Sequence, residues 1–264
     1  MAPAYTHGHH ASVLSAHRWR TVDNSAAYLT GHLRPGLSVL DVGCGPGTIT
    51  AGLAERVAPG RVVAADSAET VLDEARANTA GAANVEFAVA DVHALDYADG
   101  TFDIVHAHQV LQHVADPVGA LREMRRVTRP GGLVAARDAD FGAMVWYPEP
   151  PGMDAWLPIY YAVARGNGGE PDAGRRLVSW ARAAGFADVT ASSSTWCYAT
   201  PADREWWSES WGGRMIRSSV AEHAVAGGHA TRDELQRVHD GWKAWAASAD
   251  GWFSVTHGEI ICRA

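Results

Sequence analysis

Short apolar runs alternate with segments of helical periodicity between residues 37 and 137, and this alternation constrains the fold more than any other feature of the sequence. The apolar runs predict buried strands over residues 37–42, 61–66, 85–91, 102–107 and 133–137. Apolar residues at helical spacing predict helices over 48–57, 68–80 and 117–127. Strands that alternate with helices of this length are joined by right-handed crossovers. The sequence therefore predicts a doubly wound α/β fold with a mostly parallel sheet.

The composition excludes several classes of partner. The chain has 22 lysines and arginines against 30 aspartates and glutamates, whereas nucleic-acid binding needs a concentrated basic surface. No apolar stretch reaches the roughly 18 to 20 residues that cross a bilayer, and the first residues lack the order of a signal peptide. Cys44, Cys197 and Cys262 show no CxxC spacing. We therefore expect a cytoplasmic protein that binds no nucleic acid, membrane or metal, and the oligomeric state stays open.

A glycine-rich loop follows the first predicted strand and is the strongest candidate for a ligand site. Gly43, Gly45 and Gly47 stand at alternate positions of the segment DVGCGPGT, residues 41–48. Ligands of open parallel sheets bind beyond the carboxyl ends of the strands, and glycines let the backbone approach them closely. The spacing is GxGxG, whereas pyrophosphate-binding loops show GxGxxG. Asp41 precedes the loop; its charge is unfavourable beside a phosphate and suits a ligand with an ammonium group.

Two further acidic residues end the next two predicted strands. Asp66 is placed to accept hydrogen bonds from both hydroxyls of a ribose. Asp91 is placed to accept from the exocyclic amine of adenine, with the backbone of Val92 along the ring edge. Each acid alone could cap the following segment. Three acids at successive strand ends beside a glycine loop favour a nucleoside ligand.

Five elements in a fixed order carry a resemblance to a known family. They are DVGCGPGT at 41–48, VVAADSA at 62–68, VEFAVADVHAL at 85–95, FDIVHAHQVLQHV at 102–114 and RVTRPGGLVAARD at 126–138. Over these elements the chain resembles the class I S-adenosylmethionine-dependent methyltransferases, in the branch similar to the ubiquinone/menaquinone-biosynthesis enzymes. The resemblance implies a Rossmann-like sheet of seven strands in the order 3-2-1-4-5-7-6, with the last strand antiparallel. It also implies S-adenosyl-L-methionine as cofactor.

The resemblance assigns parts of the cofactor to residues of this chain. The loop around Gly43, Cys44, Gly45 and Gly47 would hold the methionine part. Asp66 and Ser67 would hold the ribose, Asp91 and Val92 the adenine, and the backbone near Ala107 and His108 the amino-acid group. Tyr5 could fold over the cofactor, since N-terminal helices often cover this site in the family. Arg20 could pair with the cofactor carboxylate.

The chemistry needs few catalytic groups, because the sulfonium of the cofactor already activates the methyl group. The protein supplies positioning and exclusion of water, and a base only where the acceptor must lose a proton. His108 is the first candidate, because histidine titrates near neutral pH. Asp138 is the second and, with Asp140, could orient a substrate hydroxyl or amine or cap the next segment. For His113 a packing role is the favoured interpretation.

The sequence predicts helices and strands outside residues 37–137 as well. A helix is expected over 12–33, another over 175–184, a strand over 188–198, helices within 201–247 and a last strand over 251–263. The predicted segments are an N-terminal helical cap at 1–35, a cofactor-binding α/β core at 36–140, a lid segment at 141–172, a core continuation at 173–200, a helical lid insertion at 201–250 and a final core strand at 251–264.

Ten of the eleven tryptophans follow residue 140, within or near the predicted lids. Aromatic side chains there, such as Trp146, Trp156 and Trp211, could line an apolar substrate cavity, although most are expected to form the packed interior of the lids. The sequence thus favours methyl transfer to a small organic acceptor, aromatic or similar to natural products. The alternatives are a nicotinamide-dependent oxidoreductase and a nucleoside-binding protein without catalysis. The acceptor atom is not predicted.

Overall fold

The computed structural model describes residues 19–264, which separate into two compact units. The first, here called the sheet unit, contains the described residues up to Ala139 together with Ala173–Ser194 and His257–Ala264. The second, here called the aromatic unit, contains Asp140–Asp172 and Thr195–Thr256. The roles of the predicted cap and lid segments stay predictions.

The strands form one mixed sheet. They are β1 (Val39–Val42), β2 (Val62–Asp66), β3 (Val85–Val89), β4 (Phe102–His108), β5 (Thr128–Ala139), β6 (Val145–Tyr147), β7 (Asp188–Tyr198) and β8 (Trp252–Arg263). Their order is β3-β2-β1-β4-β5-β8-β6, and β7 also pairs with β8. The pairs among β1 to β5 are parallel, and β8 runs antiparallel to β5 and β6. The predicted doubly wound α/β class and its antiparallel last strand are confirmed.

The helices of the described residues alternate with these strands. They are α1 (Val22–Ser25), α2 (Ala27–Thr30), α3 (Thr48–Val57), α4 (Glu69–Asn78), α5 (Pro117–Val127), α6 (Met153–Gly166), α7 (Ala173–Ala183), α8 (Pro201–Arg217), α9 (Ser219–Ala226) and α10 (Arg232–Ala247). Short 3₁₀ turns lie at Leu111–His113 and Phe141–Ala143. No helix within residues 19–264 is both long enough and apolar enough to cross a membrane.

Two apolar layers cover the sheet of the sheet unit. On one face Val39, Ile104 and Ala135 pack with buried side chains of α1 to α3. On the other face, residues of β4 and β5 pack with those of α5 and α7. The parallel strands are thus buried on both faces, which explains why their sequences read as continuous apolar runs.

Three elements differ from the predictions. The helix expected over 12–33 is, in its described part, two short helices, because Ala26 leaves the helical conformation with φ −135°. The helix α6 was not predicted, since Pro158 stands inside it; its buried face of Met153, Trp156, Ile159, Tyr160 and Val163 provides packing that outweighs propensity. The three-residue strand β6 is an eighth strand, and it is too short to give a periodic pattern.

Aromatic rings form the interior of the aromatic unit. Trp156 is fully buried, and its ring centroid lies 4.8 Å from those of Trp211 and Trp242, in edge-to-face geometry. Phe253 and Trp146 stack on each other at 5.5 Å. Such contacts add to the energy of area burial, by roughly 0.5–1.5 kcal/mol for each pair. These side chains therefore provide the packed interior of this unit.

Candidate functional site

The loop between β1 and α3 has a backbone that only glycine adopts easily. Gly43 has φ 65°, and a Cβ there would lie 2.4 Å from Cγ2 of Val110. Gly47 has φ 76°, and a Cβ there would lie 2.9 Å from Cα of Ala75. At Gly45, by contrast, no heavy atom lies within 4 Å of the position that a Cβ would take. The loop is therefore tightly packed at both ends and leaves open space at its centre.

Cys44 lies between the first two of these glycines and is buried. Its amide donates to the carbonyl of Ala65, at 3.0 Å. Burial raises the pKa of its thiol well above the usual range, and the nearby carboxylate of Asp41 adds to this effect. Cys44 is therefore a neutral thiol that helps to fix the loop against β2.

Asp66 connects the end of β2 to the loop. Its Oδ2 accepts from the amide of Gly45 at 3.0 Å, and its Oδ1 accepts from the amide of Ala68 at 3.0 Å. The side chain is half-buried, and Ser67 beside it is exposed. A carboxylate has about four lone-pair sites, so Asp66 can still accept from hydroxyl groups at the edge of the loop.

Asp91 follows β3 and is exposed. Its Oδ1 accepts from the amide of His93 at 2.9 Å and lies 2.9 Å from Nδ1 of the same residue. The hydrogen bond from the His93 amide, followed by that from its ring, lowers the pKa of Asp91. Val92 is buried between them. Asp91 is thus an ionised carboxylate at the strand end, as its predicted role requires.

Asp41 is placed differently from the sequence-based expectation of an acid open to a ligand. It is 2% exposed. Its Oδ2 accepts from the hydroxyl of Thr50 at 2.6 Å, and its Oδ1 lies 2.8 Å from Nδ1 of His106. Both oxygens are therefore engaged in the interior of the sheet unit, where Asp41 ties β1 to α3 and β4. A direct contact between Asp41 and a ligand stays a prediction.

The end of β4 carries His108, with Ala107 buried before it. The ring of His108 is 6% exposed and is stacked on that of His257, with 6.4 Å between centroids. Burial holds the pKa of His108 well below its ordinary value, and the charges of Arg20 and Arg137 lower it further. His108 is therefore a neutral imidazole at physiological pH.

Gln109 follows His108 and forms contacts that the sequence did not suggest. Nη2 of Arg20 donates to its Oε1 at 2.6 Å, and its Nε2 lies 2.9 Å from Nε2 of His257. Its amide donates to the carbonyl of Arg137, at 2.7 Å. Arg20, a predicted partner of the cofactor carboxylate, thus already binds Gln109 through Nη2.

Asp138 lies near the end of β5 and is fully buried. Its Oδ1 accepts from the amide of Gln112 at 3.0 Å, while Oε1 of Gln112 accepts from the amide of Ala139 at 3.0 Å. Within residues 19–264, no group bonds to its Oδ2. Burial raises the pKa of Asp138 to about 7. Asp138 thus caps the amide of Gln112 through Oδ1 and also provides a carboxyl group that titrates near neutral pH.

The other predicted residues have less direct roles. His113 lies in the 3₁₀ turn with its Nε2 3.0 Å from Nε2 of Gln112. Asp140 belongs to the aromatic unit, where its amide donates to the carbonyl of Thr256. Tyr5 lies outside the described residues. Within residues 19–264, no cluster of His, Cys, Asp or Glu suited to a metal ion is found.

A row of polar residues crosses one face of the sheet unit, and sequence reasoning missed most of it. Arg137 on β5 is paired with Glu259 on β8, with 3.2 Å between Nε and Oε1. Ser192 donates to Oε2 of Glu259 at 2.7 Å. His257 lies two residues before Glu259 on β8, so both side chains are on the same face of the sheet. The available signal was the presence of polar residues at alternate positions of strands predicted to be buried.

Comparisons with known proteins agree with this fold. A family model described as "Methyltransferase domain" matches residues 33–173. An uncharacterized methyltransferase of Schizosaccharomyces pombe is 34% identical over 269 residues, covering 97% of this chain and 95% of that protein. A demethylmenaquinone methyltransferase of Staphylococcus aureus is 39% identical over 103 residues, covering 39% of this chain and 43% of that protein.

A solved structure shows the same fold. Phosphoethanolamine N-methyltransferase 2 of Haemonchus contortus, in complex with phosphomonomethylethanolamine and S-adenosylhomocysteine, matches with a TM-score of 0.59 and 17% identity. The match covers 96% of this chain and 57% of that chain. The chain therefore belongs to the methyltransferase family, within the class I S-adenosylmethionine-dependent enzymes. This assignment decides against the nicotinamide-dependent oxidoreductases and the non-catalytic binding proteins considered above.

The cofactor of this class is S-adenosylmethionine, and the residues present fit it. The open space at Gly45 adjoins the carboxylate of Asp66, as a nucleoside with a bulky sulfur substituent requires. Asp91 supplies a second acceptor at the next strand end. A sulfonium cation is also compatible with the acidic groups around the loop.

Proposed function

We propose that this enzyme transfers the methyl group of S-adenosylmethionine to a small organic acceptor that is aromatic or similar to natural products. The observation that carries the proposal is the position of an acid–base carboxyl group and a neutral imidazole at neighbouring strand ends. His108 ends β4 and Asp138 lies near the end of β5, and these strands are paired. Val110, two residues after His108, lies close to Gly43 of the loop, so the segment after β4 adjoins the cofactor loop.

The burial of these groups supports a small acceptor. His108 is 6% exposed and Asp138 is 0% exposed, so only a compact functional group can reach them. The formal net charge of −8 also disfavours a polyanionic substrate, because nucleic acids bind to concentrated basic surfaces.

For the cofactor we propose the arrangement that the sequence predicts. The loop of Gly43, Cys44, Gly45 and Gly47 holds the methionine part. Asp66 and Ser67 hold the ribose, and Asp91 and Val92 hold the adenine. The backbone at Ala107 and His108 holds the amino-acid group. Asp41 supports this arrangement from the interior, where Thr50 and His106 fix its carboxylate.

The chain's own residues then have limited tasks. The bound cofactor supplies an activated methyl group for in-line displacement. The protein holds the acceptor close to it, excludes water and takes up a proton where the acceptor loses one. Asp138 suits proton uptake at Oδ2 because its pKa of about 7 lies near the working pH. His108, whose pKa burial holds well below its ordinary value, stays neutral and contributes a polar imidazole beside this group.

The test is methyl transfer from labelled S-adenosylmethionine to a panel of small phenols, amines and carbon acids, with oligonucleotides included as a separate class. Labelled product from a small acceptor is the expected result. Transfer only to oligonucleotides, or only to protein side chains, would refute the proposed acceptor class. Binding of S-adenosylhomocysteine, measured by calorimetry on the same preparation, ensures that a negative panel comes from a folded, cofactor-competent enzyme.

A further inference from the structure

Gln109 has a backbone conformation that is unfavourable for its residue type. Its φ of 54° is the only positive value for a non-glycine residue within residues 19–264. A side chain with a Cβ crowds the backbone in this region, so the conformation persists only where the surroundings fix it. Here the Gln109 amide is held by the carbonyl of Arg137, at 2.7 Å. Strained residues of this kind concentrate at functional sites.

The side chain of Gln109 connects Arg20 to His257. A guanidinium can only donate hydrogen bonds, so the atom that lies 2.6 Å from Nη2 of Arg20 must be the carbonyl oxygen, Oε1. The NH₂ group of Gln109 then faces Nε2 of His257 at 2.9 Å. An amide NH₂ also can only donate. Nε2 of His257 must therefore accept, and it carries no proton.

The contact with Gln109 determines the protonation state of His257. An imidazole whose Nε2 accepts a hydrogen bond is neutral and carries its proton on Nδ1. Protonation of Nε2 would turn two donors toward each other. Arg20 determines the orientation of the Gln109 amide, and the amide determines the tautomer of His257.

The surrounding charges also favour the neutral forms of His108 and His257. His257 is fully buried on β8 and its ring stacks on that of His108, with 6.4 Å between centroids. Among the described residues, the charges of Arg20 before α1, of His106 on β4 and of Arg137 on β5 act on His108. Asp138 follows Arg137 on β5, and Glu259 lies two residues after His257 on β8. Glu259 is bound to Arg137 and Ser192, and two arginines disfavour a further positive charge.

We infer that Gln109 is a positioning residue that holds His257 as the neutral Nδ1–H tautomer beside His108, and that methyl transfer depends on this state. This inference rests on the proposed methyl transfer for its role, but not for the tautomer itself.

The tautomer can be measured without any substrate. The full-length protein, labelled with ¹⁵N-histidine, is studied by long-range ¹H–¹⁵N correlation between pH 6 and 8, and the His257 signals are assigned with the His257→Gln variant. We expect a protonated Nδ1 and an unprotonated Nε2 throughout this range. A protonated Nε2, or an imidazolium at pH 7, would overturn the inference even if the enzyme methylates a small acceptor.

Two variants of Gln109 test the positioning role. In Gln109→Glu a carboxylate replaces the donor, so it favours a proton on Nε2 and stabilises the imidazolium of His257. We expect the His257 spectrum to change accordingly, the acidic limb of the kcat profile to move to higher pH, and kcat at pH 7 to fall by up to about 100-fold. Gln109→Gly removes the amide but relieves the strained φ, so the fold should be retained while His257 loses its fixed tautomer.

The matched control is Gln236→Glu. Gln236 also faces a histidine, with 3.2 Å from its Nε2 to Nδ1 of His239, but it is exposed on α10 of the aromatic unit. Its kcat and pH profile should equal those of the wild type. If Gln109→Gly keeps wild-type kcat and pH profile, the positioning role is wrong while methyl transfer stands. If the wild-type enzyme methylates no acceptor, the spectra still decide the tautomer.

Discussion

Four aspartates near the carboxyl ends of the strands differ in their exposure. This difference determines which of them a ligand can reach and which has a raised pKa. Asp91 is exposed and Asp66 is half-buried, so a ligand can reach the side chains of both. Asp41 is buried but accepts from Thr50 and His106, which compensates for the loss of water. Asp138 is buried with one oxygen lacking a partner among the described residues, and its pKa rises as a result.

The proposed ribose contact of Asp66 predicts a loss of affinity. Asp66→Ala should weaken the binding of S-adenosylhomocysteine by roughly 1.5 to 3 kcal/mol, the range for hydrogen bonds to a charged group. Calorimetry measures this loss directly. Asp73→Ala is the control, because the side chain of Asp73 is 78% exposed and pairs with Arg76 on the same helix. Equal affinities for the two variants would exclude Asp66 from the cofactor site.

Proton uptake by Asp138 predicts a pH-dependent rate. Only the ionised form accepts a proton, so kcat should rise as the pH passes upward through the value of about 7. Asp138→Asn should lose this limb and reduce kcat by about 100-fold or more, the typical contribution of a general base. The measurement is a pH profile of methyl transfer between pH 5.5 and 9. A wild-type limb near pH 7 that persists in Asp138→Asn would assign the limb to another group and contradict proton uptake by Asp138.

The same carboxyl group predicts a dependence of stability on pH. In the unfolded chain its pKa is near the ordinary 3.8, whereas in the folded protein it is about 7. Between these values the folded state binds more protons, so the free energy of unfolding decreases as the pH rises from about 4 to about 7. Asp138→Asn removes this contribution. Urea denaturation should therefore show the variant gaining stability relative to the wild type between pH 5 and pH 8, and a constant difference would contradict the raised pKa.

At the scale of elements, local sequence determined some boundaries well. The helix α5 was predicted at Pro117–Val127 and is observed there. Asp116 caps it by accepting from the amide of Gly119, and Pro117 begins it with a suitable φ. These signals are local and can be recognised in one sequence. The helix α6 was missed because its stability comes from tertiary packing of Trp156 and its neighbours, which outweighs Pro158.

Some residues of the candidate site could likewise be predicted from local sequence, whereas others depend on contacts between distant segments. Asp66 and Asp91 were identified because the carboxyl ends of parallel strands meet at one edge of a sheet. The contact of Gln109 with His257 joins residues 148 positions apart, through an unpredicted left-handed residue and the register of an antiparallel strand. The burial of Asp41 depends likewise on Thr50 and His106, which lie on two other elements. No pattern in one segment reveals such contacts.

The link between β1, α3 and β4 through Asp41 predicts a measurable cost. Thr50→Val removes the 2.6 Å hydrogen bond to a buried carboxylate and should destabilise the protein by about 1.5 to 3 kcal/mol. Thr30→Val is the control, because its hydroxyl donates to the carbonyl of Ala27 at an exposed position of the short helix α2; it should change stability by less than about 0.5 kcal/mol. Urea denaturation compares the two. Equal effects would mean that the Thr50 bond contributes little.

At the scale of the whole molecule, the proposed cofactor residues within residues 19–264 all lie in the sheet unit. A ligand that binds the native state at about 100 times its Kd stabilises it by about 2.7 kcal/mol. Hydrogen exchange with and without S-adenosylhomocysteine should therefore show slower exchange in peptides that cover residues 39–50 and 62–68. Protection confined to Arg232–Ala247 in the aromatic unit would contradict the proposed location of the cofactor.

The aromatic interior has a consequence for spectroscopy. Nine of the eleven tryptophans, all except Trp19 and Trp180, fall within the aromatic unit. Neighbouring indoles such as Trp156 and Trp242, 4.8 Å apart, exchange excitation energy and emit as a group. Intrinsic fluorescence therefore reports mainly on the aromatic unit, and a thermal melt recorded by emission leaves the glycine loop almost unobserved. An extrinsic dye attached near the loop would report on the sheet unit.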